Sequence, residues 1–237
     1  MRKNNLAIDL IRKDKFKTSE KIQSIEELIN VKNVVINWWC RNSGKTLTSI
    51  KIARDTAISK PSKILFISVN AKRAKDINDL IFRSIDRSLM NISKSKNTLH
   101  LLNGSTITSV SINSFIINDD IDMIIVDEFD LINETHIQDL IANFELIENK
   151  LKNKKISFWK KILLFFGIYK KDNKDIKLLM SSSKFNGVSF IKLLDWSMSR
   201  NDAAVTRLNW EKTTIDREKL ITILGEEKFE KDYNSYG

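Results

Sequence analysis

Four short apolar runs, separated by segments of helical pattern, constrain the fold of this chain most strongly. They cover Val34–Trp39, Ile64–Val69, Asp122–Asp127 and Ile176–Met180. Such nearly continuous runs are typical of strands buried on both faces, as in a parallel sheet. Strands that alternate with helices predict an α/β fold with a central, mainly parallel sheet flanked by helices.

The segments around these runs carry helix and turn signals. Leu99–Ile112 predicts a local antiparallel hairpin that turns at Asn103-Gly104, a favoured turn pair. Ala204–Trp210 is a further strand candidate, and residues 1–32 form a polar segment of mostly helical pattern. Helical periodicity, or a place between or after the predicted strands, predicts helices over 45–58, Lys72–Leu89, 134–150 and 216–231.

The chain is basic, with 40 Lys and Arg residues against 30 Asp and Glu residues and a net charge of +10. This excess favours polyanionic partners, although a solubilising surface explains it as well. Cys40 is the only cysteine, which fits a reducing cytosol, and with two histidines the chain lacks the ligands for a Cys/His zinc site. No run of about 18 apolar residues could span a bilayer, so no membrane partner is expected.

Residues Arg41–Thr46 (RNSGKT) follow a predicted strand, precede a predicted helix and indicate a phosphate-binding loop. Backbone N–H groups at a helix N-terminus form a concave anion site. Gly44 would let the backbone approach closely, Lys45 would lie between the β- and γ-phosphates, and Thr46 would bind Mg²⁺. The standard pattern has another glycine where this chain has Trp39, so an ordinary helix start with an exposed lysine is the alternative.

A second motif, Ile124–Glu128, is an apolar strand that ends in two acidic residues. Asp127 at the carboxyl end of the strand can hold Mg²⁺, and Glu128 can polarise an attacking water. Ligands of parallel sheets bind at this edge, where Lys45 would also lie. Acidic residues also begin many helices, but the two motifs in this order favour nucleotide hydrolysis.

Three serines, Ser181–Ser183, follow another predicted strand. Their hydroxyls could sense the γ-phosphate, and a flexible loop is the alternative. His100 and His136 have no partner at catalytic spacing. The strand position of Trp38-Trp39 favours core packing over base stacking.

In this order the motifs resemble the ATPase domain of tailed-phage terminase large subunits, the motors that pump DNA into capsids. The likeness spans roughly residues 34–233. It includes a deviant phosphate loop with an arginine before Gly-Lys-Thr, an Asn-Gly-Ser hairpin and a closing Phe…Glu-Tyr-like stretch. The matching segments are Arg41–Thr46, Ile64–Asn70 with the helix after it, Leu102–Ile107, Ile124–Glu128, Ser181–Ser183 and Gly225–Tyr233.

The resemblance implies a P-loop NTPase fold of the RecA-like class that uses ATP and Mg²⁺. Thr46 and Asp127 would hold Mg²⁺, and Glu128 would activate water. Lys45 and Arg41 would stabilise the γ-phosphate charge, and Ser181, Ser182 and Ser183 would couple hydrolysis to motion. The nucleotide would contact Arg41, Asn42, Ser43, Gly44, Lys45 and Thr46.

The resemblance also implies partners: double-stranded DNA, a portal protein, a small terminase subunit and further copies of this chain in a ring. A neighbour's arginine would complete the site, with Arg200 or Arg207 as candidates. The protein would act in the host cytoplasm and transiently at the procapsid portal.

The predicted organisation is an N-terminal helical segment (1–32) and an ATPase domain (33–237) without the nuclease domain of full-length terminases. A lysine-rich helical insertion spans 148–177 and could pack on the core, touch nucleic acid or lie on a membrane. Two other functions remain open. One is a helicase-like ATPase, since Asp127–Asp130 resembles the acidic box of that class. The other is a basic nucleic-acid-binding or scaffold protein without activity.

Overall fold

The computed structural model describes residues 25–39, 43–95, 97–117, 120–153, 175–183 and 188–208, with residues 218, 221, 222 and 226. The strands in these residues are β1 (Val34–Trp39), β2 (Lys63–Ser68), β3 (Met90–Ser95), β4 (Thr98–Leu101), β5 (Thr106–Ser111), β6 (Met123–Val126), β7 (Lys177–Ser182) and β8 (Ala203–Leu208). The α-helices are α1 (Ile25–Val31), α2 (Lys45–Ser59), α3 (Ala71–Ser84), α4 (Glu134–Asn153) and α5 (Val188–Met198).

The eight strands form one sheet in the order β3-β4-β5-β2-β6-β7-β1-β8. Neighbours from β5 to β8 pair in parallel, whereas β3, β4 and β5 pair antiparallel. The predicted mainly parallel α/β sheet with a local hairpin is confirmed. The strand β3 at the edge was not predicted.

Helices cover both faces of this sheet because alternate residues of its strands point to opposite sides. Val35 and Phe66 face α1, α2 and α3, whereas Ile36 and Val126 face α4 and α5. These strand residues are fully buried. Ile25 and Ile29 of α1, in the predicted N-terminal segment, join the first of these cores.

The Asn-Gly turn of the β4–β5 hairpin is tied to the end of α2. Gly104 adopts a positive φ of 88° there. Asn103 Nδ2 donates to the Ala57 carbonyl at 2.8 Å, and Ser105 Oγ donates to the same carbonyl at 2.8 Å. The buried Ser105 Oγ also accepts from the Ser62 N–H at 2.9 Å. The turn thus satisfies polar backbone groups that the helix end leaves without partners.

Helix boundaries differ from the predictions where the chain leaves the core. The helix predicted to reach Leu89 ends at Ser84, and a 3-10 turn covers Arg87–Leu89. Helix α4 continues to Asn153, three residues beyond the predicted end at Lys150, and Glu148 in its last turns is buried. Ile176 and Lys177 at the end of the predicted 148–177 insertion lead into the sheet.

Several predictions fall outside the described residues. They concern Arg41 and Asn42, residues 1–24, the centre of the lysine-rich segment (154–174), most of the helix predicted over 216–231, and the closing stretch near Tyr233. Within the part of the chain that the structure covers, no helix is both long enough and apolar enough to cross a membrane.

Candidate nucleotide site

The turn from β1 into α2 requires a glycine. Gly44 precedes the helix with φ 86° and ψ 13°, in the left-handed region that other residues adopt at a cost. A Cβ atom built on Gly44 would meet no atom of the described residues within 4 Å. Among those residues, the space beside Gly44 is therefore open, as the approach of a phosphate would require.

Lys45 begins helix α2 and is buried, with 6% of its surface exposed. Its Nζ donates to the Trp39 carbonyl at the end of β1 at 3.0 Å. Burial raises the pKa of both acidic residues of the second motif, Asp127 and Glu128, and the positive charge of Lys45 opposes that rise. An exposed lysine at an ordinary helix start would not have these contacts.

Thr46 and Asp127 meet although β1 and β6 are not neighbours in the sheet. The Thr46 hydroxyl lies 3.1 Å from Asp127 Oδ1 and 3.0 Å from Oδ2. Asp127 is 1% exposed, and its N–H donates to the Ile67 carbonyl of β2 at 3.0 Å. Burial raises the pKa of Asp127, while the hydrogen bond from Thr46 and the charge of Arg73 oppose that rise.

A hydroxyl and a buried carboxylate in contact fit one side of a Mg²⁺ shell. Mg²⁺ prefers oxygen ligands and commonly takes one or two from the protein, with phosphates and water supplying the rest. Thr46 of this pair lines a cavity of about 510 Å³, which has room for the triphosphate tail of a nucleotide. It is lined by Gly44, Lys45, Thr46, Leu47, Arg73, Glu128, Asp130, Leu131 and Ser183.

Glu128 has a strained backbone. Its φ of 54° makes it the one non-glycine residue with positive φ among the described residues. The next residue, Phe129, is buried and stacks on Phe190 of α5, with ring centroids 5.6 Å apart and planes 7° apart. Strain of this kind persists only where packing enforces it, and it concentrates at functional sites.

The environment of Glu128 increases the basicity of its carboxylate. Burial raises the pKa of Glu128, and the negative charge of Asp127 raises it further. A carboxylate with a raised pKa accepts protons more readily than an ordinary glutamate does.

The sequence did not reveal Arg73, which contacts three residues of this site. Its Nη2 lies 3.2 Å from Thr46 Oγ1, 3.3 Å from Asp127 Oδ2 and 3.8 Å from Glu128 Oε1. Asn70 caps α3 and accepts a hydrogen bond from the Arg73 N–H at 2.9 Å, which fixes the first turn of the helix. One sequence signal could have identified Arg73: it is a basic residue three positions after a helix-capping Asn, at the carboxyl end of a parallel strand.

The serines lie deeper than the predicted position after a strand. Ser181 and Ser182 belong to β7 and are fully buried, and Ser181 Oγ lies 3.3 Å from Ser49 Oγ of α2. Ser183 alone of the three lines the cavity. A flexible loop does not describe Ser181 and Ser182, which sit between β1 and β6.

The contacts of Arg200 do not favour it as the arginine that would complete the nucleotide site of a neighbouring subunit. Its side chain is 13% exposed and pairs with Glu148 at 2.6 Å and Asp202 at 2.8 Å. Arg207 lies over the Trp38 ring at 4.6 Å. Trp38 is buried, as predicted for a core residue.

Comparison with known proteins locates this fold among ATPases. No protein-family model matches the sequence, and no curated protein matches it. Among solved structures, the large terminase ATPase domain of Thermus phage P74-26 superposes with a TM-score of 0.56 at 13% identity, covering 91% of this chain and 93% of that one. The large terminase of another thermophilic bacteriophage gives 0.54 at 10% identity, covering 87% of this chain and 50% of that one.

The chain has the fold of a phage large-terminase ATPase domain. The resemblance inferred from the motifs is confirmed at the level of fold. The chain spans about half the length of the second of these terminases. In this terminase-like fold, the two predicted motifs lie at the carboxyl edge of the sheet and face one cavity.

Proposed function

We propose that this protein is the ATP-hydrolysing motor domain of a viral DNA-packaging terminase. The observation that carries the proposal is the contact between Thr46 and Asp127 beside the open N-terminus of α2. A P-loop ATPase needs this hydroxyl–carboxylate pair at one Mg²⁺ and a cradle for the phosphates next to it. The superposition on a large terminase ATPase domain supports the choice of ATPase class.

In the proposed reaction, water attacks the γ-phosphorus in line with the departing ADP oxygen. Glu128 orients the water and accepts its proton, and its raised pKa suits that role. Lys45 and the backbone N–H groups after Gly44 hold the phosphates. Thr46 and Asp127 would hold Mg²⁺, which would neutralise charge on the phosphate oxygens. Arg41 would add a positive charge at the γ-phosphate.

Movement of DNA is the second part of the proposal. The net charge of +10 favours a polyanionic partner. In this reading Ser181–Ser183 couple hydrolysis to motion, because Ser183 lines the cavity while Ser181 contacts α2 through Ser49. Portal protein, small terminase subunit and a ring of identical subunits complete the proposed assembly, which would act at the procapsid in the host cytoplasm.

The decisive test is ATP turnover with and without double-stranded DNA, for wild type, K45A and K51A. Lys51 lies on the exposed face of the same helix, so K51A controls for the loss of a lysine. We expect Mg²⁺-dependent turnover in wild type and K51A, stimulated by DNA, and none in K45A. Turnover in K45A at the wild-type rate would refute the site, and absence of a DNA effect would refute the motor.

Two further measurements separate this proposal from its alternatives. DNA binding through phosphate contacts should weaken steeply as salt is raised. ATP-dependent separation of duplex strands would favour the helicase-like ATPase suggested by Asp127–Asp130, because a packaging motor moves intact duplex.

A further inference from the structure

Arg73 holds the two protein groups that the proposed function assigns to Mg²⁺. A single nitrogen, Nη2, donates toward Thr46 Oγ1 at 3.2 Å and toward Asp127 Oδ2 at 3.3 Å. The same nitrogen is 3.8 Å from Glu128 Oε1. One cation therefore already satisfies the hydroxyl and the buried carboxylate.

A divalent ion and this guanidinium cannot share those oxygens. Mg²⁺ requires its ligands at about 2.0–2.1 Å in near-octahedral order, which would bring it within contact of Nη2. Two cations so close to each other repel strongly where burial lowers the effective dielectric constant. Asp127 is almost completely buried, so water does little to screen the repulsion.

The Arg73 side chain has room to move away from Thr46 and Asp127. About a third of it is exposed, and it lines the same cavity as Asp130. Among the described residues, Arg73 Nε and Asp130 Oδ1 are both buried without a hydrogen-bond partner. The Asn70 cap holds the backbone of Arg73, so a rotation of the side chain alone would move the guanidinium into the cavity.

We propose that Arg73 competes with a divalent cation for Thr46 and Asp127 and is displaced into the cavity when magnesium–nucleotide binds. The nucleotide in this statement rests on the proposed function, whereas the competition concerns the metal alone. Displaced Arg73 lies beside Glu128 and Asp130, where its charge can meet the triphosphate. The device would keep metal out of the site until the phosphates arrive to replace the lost bonds.

The test is binding of Mn²⁺, a paramagnetic probe for the Mg²⁺ site, measured by electron paramagnetic resonance on the full chain without nucleotide. R73Q removes the competing charge, and R83Q is the matched control, because Arg83 is exposed in the last turn of the same helix. R73Q should bind Mn²⁺ at least about tenfold more tightly than wild type, and R83Q should match wild type. Equal affinities for R73Q and wild type would overturn the proposal.

Two additional variants secure this interpretation. T46V combined with R73Q should abolish the gain, which assigns the bound ion to this site; a gain that survives T46V would overturn the proposal. R73K should give a smaller gain, since one ammonium cannot replace the planar guanidinium at several acceptors at once. If R73Q fails to fold, R73K carries the test, and R73K at the wild-type affinity overturns it.

Failure of the proposed function would look different. A fluorescent ADP analogue titrated with Mg²⁺ should bind wild-type protein. Lack of nucleotide binding in folded wild type, R73Q and R83Q would refute the ATPase assignment. The Mn²⁺ comparison between R73Q and wild type would still decide the Arg73 competition.

Discussion

Replacement of Phe190 by leucine should loosen the segment that holds Glu128. Phe190 is buried in α5 and stacks on Phe129, with ring centroids 5.6 Å apart. It also meets the edge of Trp38 at 5.5 Å and an interplanar angle of 64°. One ring therefore joins the strand before the phosphate loop to the residue after Glu128, which has a strained backbone.

The magnitude follows from these two ring contacts. Each aromatic pair contributes about 0.5–1.5 kcal/mol beyond the area it buries, so F190L should lower the free energy of unfolding by about 2 kcal/mol. For a domain of this size that loss lowers Tm by roughly 4–8 °C. It leaves the protein folded, since domains are stable by about 5–15 kcal/mol.

Urea unfolding followed by far-ultraviolet circular dichroism measures this loss without relying on a tryptophan signal. Phe82, which is 41% exposed on α3, gives the matched variant F82L, expected within about 0.5 kcal/mol of wild type. Once Glu128 is less well held, kcat of F190L should fall more than KM rises. A stability loss no larger than that of F82L would refute the claim that the aromatic stack supports the site.

The remaining predictions concern the acidic pair and the hairpin turn. E128Q should keep nucleotide binding but slow hydrolysis on the order of 10² or more, and a wild-type rate in a phosphate-release assay would exclude Glu128 as the base. Burial raises the folded-state pKa of Asp127 above its unfolded value, so the folded protein loses stability as pH rises from the unfolded pKa to the folded one. D127N should therefore gain in Tm relative to wild type as pH is raised above the ordinary range of an aspartate, and a difference in Tm that is independent of pH would contradict this. S105A leaves the buried Ser62 N–H without its acceptor and should cost about 1–3 kcal/mol in urea unfolding, whereas an unchanged midpoint would show that the turn does not clamp α2.

The hydrophobic pattern of the sequence was sufficient to predict the strands that are buried on both faces. Runs such as Ile64–Val69 have no polar alternation, and they correspond to the central strands. The meeting of Thr46 and Asp127 was also predictable, since the carboxyl ends of parallel strands share one edge. The Asn103-Gly104 pair was sufficient to predict the hairpin, because the turn needs a positive φ that Gly104 adopts.

Other features depend on contacts that no local pattern encodes. Helix α5 (Val188–Met198) was not predicted, because its short apolar stretch has no distinct helical period. The edge strand β3 has little apolar content and forms by pairing with β4. Arg73 resembles any other basic residue of an amphipathic helix until the fold brings it beside Asp127. Arg200 looked available to a neighbour, yet Glu148, more than 50 positions earlier, buries it in an ion pair.

Strand β7 lies between β1 and β6, and this position sets the distance between the ends of those two strands. Neighbouring strands are about 4.8 Å apart, so one intervening strand separates the end of β1 from the end of β6 by roughly 10 Å. Side chains bridge that gap, since the Thr46 hydroxyl of the helix after β1 reaches Asp127 at 3.0 Å. Loss of β7 from the sheet would bring the ends of β1 and β6 too close together to leave room between them. An extra strand at that place would move Lys45 too far from Asp127 and Glu128 for one ligand to contact all three.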